Sequence, residues 1–232
     1  HDKDVVSWGA LLSAYSEHGH CSYVCELYDE MKLKGIKPDK AVFLCILKAC
    51  GITGSLKQGH QVHYEVIRCN LELGLTVGNT IIDMYAKCGS LDEARKIFYN
   101  LPNQDEVSWA ALIGGYGRHG YCGEVGQFIG AMKENGLTPK RSIFTSLLAA
   151  CSHTGELEDG LVYFNTMVEV GIEPAMEHYS CMADLLGRKG CLNEAKDVLQ
   201  SMPVPPDIVV WMSMLTGCRT YGEVDSGGEC FD

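Results

Sequence analysis

The segment VSWGALLSAYSEHG at positions 6–19 returns as VSWAALIGGYGRHG at 107–120, an offset of 101 residues. Two further echoes share that offset. FLCILKACGITGSLKQG from Phe43 becomes FTSLLAACSHTGELEDG from Phe144, and DMYAKCGSLDEARKIF from Asp83 becomes DLLGRKGCLNEAKDVL from Asp184. A fixed internal period marks a repeat architecture, in which one supersecondary unit recurs and buries its apolar face against its neighbours.

The long period divides further. Trp8, Leu11, Leu12 and Tyr15 stand at i, i+3, i+4 and i+7. The same spacing starts again at Phe43, Gly78, Trp109, Phe144, Tyr179 and Trp211. It predicts a helix with one apolar stripe; a strand would need strict alternation. Each stretch is followed by a glycine or a short polar break (Gly19, Gly54, Gly89, Gly120, Gly155, Gly190, Gly222) suited to a left-handed C-cap. A second amphipathic stretch follows, such as Val24, Leu27, Tyr28, Met31, and ends at a turn like KGIKPD, NLPNQD, NGLTPK or SMPVPPD. Proline there cannot continue a helix. The units run 5–39, 40–74, 75–105, 106–140, 141–175 and 176–207, with a partial seventh from Ile208. In the seventh, a first helix over about 209–219 meets GEVDSGGECFD, whose glycines disfavour a second helix. The expected fold is all-α, a right-handed superhelical α-solenoid of antiparallel helix-turn-helix repeats with a concave inner face.

Composition narrows the partners. Apolar residues make up 46% of 232, ample for a core, and no apolar run approaches the roughly 18 residues of a membrane span. The stretch from His1 carries no signal-like or transit-like segment, so the compartment is not legible from it. A net charge of −11 weighs against nucleic acid, whose binders usually carry a basic stripe. Twelve cysteines form no C-x-x-C pair, and the expectation is small, buried, reduced thiols rather than a metal site or disulfides.

The sequence resembles the pentatricopeptide repeat family, specifically the plant subclass that cycles P-, L- and S-type repeats. DVVSWGALLSAY matches a P-type opening; FLCILKACG and GHQVHYEVI match L-type; GNTIIDMYAKCGSLDEARKIF matches S-type. EHYSCMADLLGRKGCLNEA and SMPVPPDIVVW resemble the closing units and the start of a C-terminal extension. The resemblance implies binding of single-stranded RNA in a mitochondrion or chloroplast, one repeat per nucleotide, for RNA editing or processing. It implies no cofactor. It also implies partner proteins: helpers on L-type repeats and a deaminase acting in trans.

The resemblance further implies that the second residue of each repeat sandwiches bases. Those positions are Val6, Ala41, Thr76, Val107, Ser142 and Glu177. The fifth and last residues would read the base edge. These pairs are Gly9 with Asp39, Leu44 with Gly74, Asn79 with Asp105, Ala110 with Lys140, Thr145 with Ala175, and Ser180 with Asp207. Asn79 with Asp105 fits uracil and Ser180 with Asp207 fits guanine; Thr145 with Ala175 has no assignment. A plainer reading stands beside this one, in which Asn79 is a helix cap and Asp105 and Asp207 are turn residues.

A zinc deaminase would need H-x-E with C-x-x-C. His63-Tyr64-Glu65 supplies the first alone, and His63 falls on a packing face as the equivalent of Phe164. His18 and His119 sit at helix C-termini, where the dipole suits them. The chain reads as non-catalytic. The competing function is a protein-binding scaffold whose RNA code has decayed, and charge on the inner face discriminates between the two.

Overall fold

The computed structural model describes residues 4–71, 74–203, 205–206 and 208–221. Among them are thirteen α-helices and no strand. They are α1 (Val5–Glu17), α2 (Cys21–Leu33), α3 (Lys40–Thr53), α4 (Leu56–Arg68), α5 (Leu75–Lys87), α6 (Leu91–Asn100) and α7 (Glu106–Arg118). Then come α8 (Cys122–Glu134), α9 (Arg141–Thr154), α10 (Leu157–Glu169), α11 (Met176–Arg188), α12 (Leu192–Gln200) and α13 (Ile208–Tyr221).

Contacts group the chain into two compact units that meet in sequence between Tyr116 and Gly117. In the first, α1, α3 and α5 pack side by side as one layer. Helix α2 lies against α1 and α3, α4 against α3 and α5, and α6 against α5. The second repeats the plan: α9, α11 and α13 form a layer, α10 bridges α9 and α11, and α12 bridges α11 and α13. Within each unit these odd-numbered helices thus touch one another, and even-numbered helices back them.

The apolar stripes explain the layering. Phe43, Ile46, Leu47 and Cys50 are all buried, and so are Ile81, Ile82 and Tyr85. Trp109, Leu112, Ile113 and Tyr116 follow suit, as do Phe144, Leu147, Leu148 and Cys151. In α1, Trp8 and Leu12 are buried but Leu11 and Tyr15 only half so. Helix α1 packs on α2 and α3, with no earlier helix among the described residues to cover its other flank. The Phe98 ring meets Trp109 edge to face at 4.6 Å, which fixes α7 against the end of α6.

Local chemistry starts and stops the helices. Carboxylates of Asp4, Asp39 and Asp105 accept from the backbone N–H three residues on, at 2.9, 2.9 and 2.8 Å, and so open α1, α3 and α7. Gly54 and Gly155, equivalents at the long period, close α3 and α9 with φ of 69° and 76°, where a side chain would clash. The cysteines depart in part from expectation. Those described are free thiols, but only Cys21, Cys50 and Cys151 are buried, and Cys69 is exposed. Cys69 is the C-cap of α4, where the chain turns outward.

Two glycines test the packing. Gly115 in α7 is buried, and a Cβ there would overlap the Cβ of Ala86 on α5. Gly126 in α8 is exposed and faces open space. Gly115→Ala is expected to destabilise by about 1–3 kcal/mol through overpacking, whereas Gly126→Ala should stabilise by up to roughly 1 kcal/mol through helix propensity. Denaturant melts of both variants check the opposite signs.

Candidate nucleic-acid interface

The six second-position residues share one property. Val6, Ala41, Thr76, Val107, Ser142 and Glu177 are all exposed, each in the first turn of an odd-numbered helix. Val6 and Val107 stand out as apolar side chains 70% and 60% exposed. The fifth-position residues sit one turn further in: Gly9, Leu44, Ala110, Thr145 and Ser180 are half-buried and Asn79 is buried. Each odd-numbered helix from α1 to α11 therefore offers an open ledge with a recessed group beside it.

At one joint the recessed group is polar and fully networked. The Asn79 amide donates to Asp105 Oδ1 at 3.0 Å, although 26 positions separate them. Ser108 lies at 2.6 Å from Asn79 Oδ1 and at 2.9 Å from Asp105 Oδ1 through its hydroxyl, and its backbone N–H donates to Asp105 Oδ1. The Asp105 N–H donates back to the Ser108 hydroxyl at 3.2 Å, a reciprocal arrangement like a capping box. The network orients the amide: Oδ1 faces Ser108 and Nδ2 faces Asp105. One Nδ2 proton and Asp105 Oδ2 remain available to a third party. Burial raises the Asp105 pKa, but hydrogen bonds from the Ser108 backbone, its hydroxyl and Asn79 outweigh this and hold the carboxyl below its usual value.

Asn79 is not a helix cap: Gly74 holds that place in α5, and Asn79 lies one turn inside. Asp105 is a cap as well as the partner of Asn79, so the turn-residue reading captures half of its role. Ser108 was not singled out from the sequence. Its signal was the spacing Asp105-x-x-Ser108, which recurs as Asp4-x-x-Ser7.

The other pairs are plainer. Gly9 offers no side chain, and the Asp39 carboxylate is engaged in capping α3. Leu44 and Gly74 bring no side-chain polar group. Ala110 is half-buried and Lys140 exposed. The Ser180 hydroxyl donates to Met176 O within its own helix at 2.9 Å; its intended partner Asp207 lies outside the described residues. Thr145 meets His178, not Ala175, with Oγ1 3.0 Å from Nε2.

Charge is sorted between the two sets of helices. The odd-numbered helices carry seven Lys and Arg against five Asp and Glu; the even-numbered ones carry seven against thirteen. The acidity of the whole chain therefore resides in the backing helices and loops. His63 and Glu65 do not converge. The His63 ring bonds the Tyr85 hydroxyl at 2.9 Å, while Glu65 accepts from Tyr28 at 2.9 Å and pairs with Lys32. Among the described residues no group of three or more His, Cys, Asp or Glu is placed to hold a metal ion.

Stacked helical hairpins with an exposed second position and a recessed fifth define an α-solenoid repeat protein. The comparisons specify which one. The PPR repeat family matches residues 3–51, the PPR repeat matches 79–103, 107–137 and 177–204, and the pentatricopeptide repeat domain matches 131–189. The chain belongs to the pentatricopeptide repeat family. A putative mitochondrial pentatricopeptide repeat-containing protein of Arabidopsis thaliana is 41% identical over 225 residues, covering 96% of this chain and 36% of that protein. A second from the same plant, also named mitochondrial, is 36% identical over 98% of this chain and 36% of its own length. The chain thus spans about a third of the length of these relatives. The crystal structure of PPR10 from maize superposes with a TM-score of 0.72 at 22% identity, over 93% of this chain and 32% of that one. Nuclear protein-only RNase P 2 of Arabidopsis thaliana aligns with a TM-score of 0.54 at 13% identity, over 78% and 42% of the two chains. At such identities these structures speak for the fold alone.

The depressed Asp105 pKa has a stability consequence. A carboxylate bound more tightly in the folded state contributes stability above its unfolded pKa, about 3.9, and loses it as pH falls through the lower folded value. Asp105→Asn is expected to be less stable than the parent at pH 7 and to lose less stability on acidification. Urea melts at neutral pH and near pH 3 check the narrowing gap.

Proposed function

We propose that this chain is a sequence-specific single-stranded RNA-binding array, acting as the recognition part of an organellar RNA editing or processing factor. The observation that carries the proposal is the Asn79–Asp105–Ser108 joint. It joins residues far apart in sequence and leaves one amide N–H and one carboxylate oxygen side by side. Uracil offers a carbonyl oxygen beside a ring N–H, which complements that pair. PPR10, which shares this fold with a TM-score of 0.70 at 17% identity, has been solved in complex with an 18-nucleotide RNA element, and that ligand class comes to this chain as part of the proposal, through the repeat family it belongs to.

The repeat frame of this proposal is 5–39, 40–74, 75–105, 106–140, 141–175 and 176–207, in the order P, L, S, P, L, S, with an extension-like unit from 208. Val6, Thr76 and Val107 flank bases from their exposed ledges. Asn79 with Asp105 selects uracil, and Ser180 with Asp207 selects guanine three repeats later. Gly9 with Asp39, Ala110 with Lys140, and Thr145 read weakly or not at all in this frame. The preferred RNA is U-N-N-G from 5′ to 3′. The chain works without a cofactor and without catalysis, with helper proteins on the L-type repeats and a deaminase supplied in trans. A mitochondrion is favoured over a chloroplast by the relatives named as mitochondrial. The charge sorting supports RNA over a protein ligand, since the odd-numbered helices carry a slight basic excess.

The test is a binding series with U, C, A or G opposite the third repeat, at one low salt concentration, because affinity for nucleic acid depends steeply on salt. The parent is expected to prefer U. Asp105→Asn replaces an acceptor with a group that also donates, and should move the preference toward C by about fivefold, the worth of one hydrogen bond of roughly 1 kcal/mol. A parent indifferent to the base, or a variant that keeps the uracil preference, contradicts the assignment.

A further inference from the structure

At three joints the third residue of a repeat stands against the fifth residue of the repeat before it: Val42 by Gly9, Ser108 by Asn79 and His178 by Thr145. A Cβ on Gly9 would touch the side chain of Val42, and Ser108 holds Asn79. In most repeats this third residue is apolar and buried: Val42, Val77, Ile143 and Val210. His178 departs from that pattern. It is fully buried, carries two polar nitrogens, and occupies the place that Ser108 takes two joints earlier. A buried imidazole in a row of aliphatic residues costs desolvation unless both nitrogens are paired.

Both are paired, and the pairing fixes the tautomer. The backbone N–H of Ala175 donates to Nδ1 at 3.0 Å. Nδ1 is therefore the acceptor, and the ring proton sits on Nε2. Nε2 lies 3.0 Å from Thr145 Oγ1 and 3.4 Å from Arg141 O. His178 thus donates to the threonine hydroxyl. The Thr145 hydroxyl in turn donates to Arg141 O at 3.2 Å. With its proton engaged and one lone pair filled, the half-buried Oγ1 has one lone pair left. Ala175, the last residue of this repeat, adds no polar side chain.

Resting on the RNA-binding reading above, we infer that Thr145 and His178 make the fifth repeat a reader of bases with an exocyclic amino group, adenine or cytosine. His178 is the positioning residue: it turns the threonine hydroxyl into an acceptor toward the groove. Adenine N6 and cytosine N4 donate to such an acceptor; guanine O6 and uracil O4 meet it lone pair to lone pair. The joint at Ser108 works by the same device, with the third residue setting which end of Asn79 faces outward. The preferred RNA becomes U-N-(A or C)-G.

The experiment uses the full chain and short unstructured RNAs of the form U-N-X-G, with X each of the four bases. The parent is expected to bind X = A or C about fivefold more tightly than X = G or U, the scale of one hydrogen bond. Thr145→Val keeps the shape, removes the acceptor and should erase that ratio. His178→Ala frees the hydroxyl to rotate and should reduce it. His178→Gln can accept from the Ala175 N–H, as glutamine does in a capping box, and donate to Thr145, so it should restore it. Substitutions at the third-repeat base report on the same proteins independently. If uracil preference there persists while X makes no difference in the parent, the inference at Thr145 and His178 is wrong and the RNA reading stands. Retention of the ratio in Thr145→Val overturns it equally. If no RNA binds, both fall together. Should His178→Ala fail to fold, Thr145→Val decides alone.

Discussion

Everything in this molecule follows from an apolar stripe that one helix pair cannot cover. Trp109, Leu112, Ile113 and Tyr116, like their equivalents, lie on a single face of an odd-numbered helix. That face needs an even-numbered helix behind it and odd-numbered neighbours at its flanks. Burying a large aliphatic or aromatic side chain is worth roughly 1.5–3 kcal/mol, and the stripe is buried fully only when hairpins stack. Helix α1 illustrates the constraint, since Leu11 and Tyr15 are left half-exposed where no earlier helix among the described residues packs. Close approach of helices sharpens it: Gly115 must lack a Cβ because Ala86 occupies the space.

Stacking also creates the candidate site. In the first turn of α1, α3, α5, α7, α9 and α11 the second residue points off the stripe and is exposed, while the fifth is recessed. The last residue of a repeat occupies the N-cap of the next odd-numbered helix, so capping and the proposed base reading fall on one position. Asp105 closes the α7 N-terminus and also meets Asn79. Asp39 caps α3 in the same way, but Gly9, the fifth residue of its repeat, brings no side chain to pair with it. Net charge is a sum that hides this arrangement: the odd-numbered helices carry seven Lys and Arg against five Asp and Glu, and the acid excess lies on the backing helices and in the loops.

Much of the fold was legible because the signals were periodic. The i, i+3, i+4, i+7 spacing, the glycine stops and the 101-residue echo each place helices independently, and α1–α13 arise where they point. The meeting of Asn79 with Asp105 was legible through the family resemblance, not through local pattern, since 26 residues intervene. Ser108 and His178 were not legible. Each is a polar residue at the third position of a repeat, where Val42, Val77, Ile143 and Val210 are aliphatic but Ser7 is polar and exposed, and nothing in composition tells a buried hydrogen-bonding partner from a surface serine or histidine. Their roles depend on which atom of a neighbouring repeat they touch. Cys69 erred for the opposite reason: thiols were expected inside, and this one sits on a helix end.

The central claim is that RNA lies along the odd-numbered helices with its bases between second-position ledges. A photo-crosslink tests this directly, using RNA with a single 4-thiouridine opposite the third repeat, followed by mapping of the modified peptide. The account places the crosslink in the first turn of α5 or α7, around Thr76 or Val107. A crosslink mapping to α6 or α8, or none at all at saturating RNA, would contradict it.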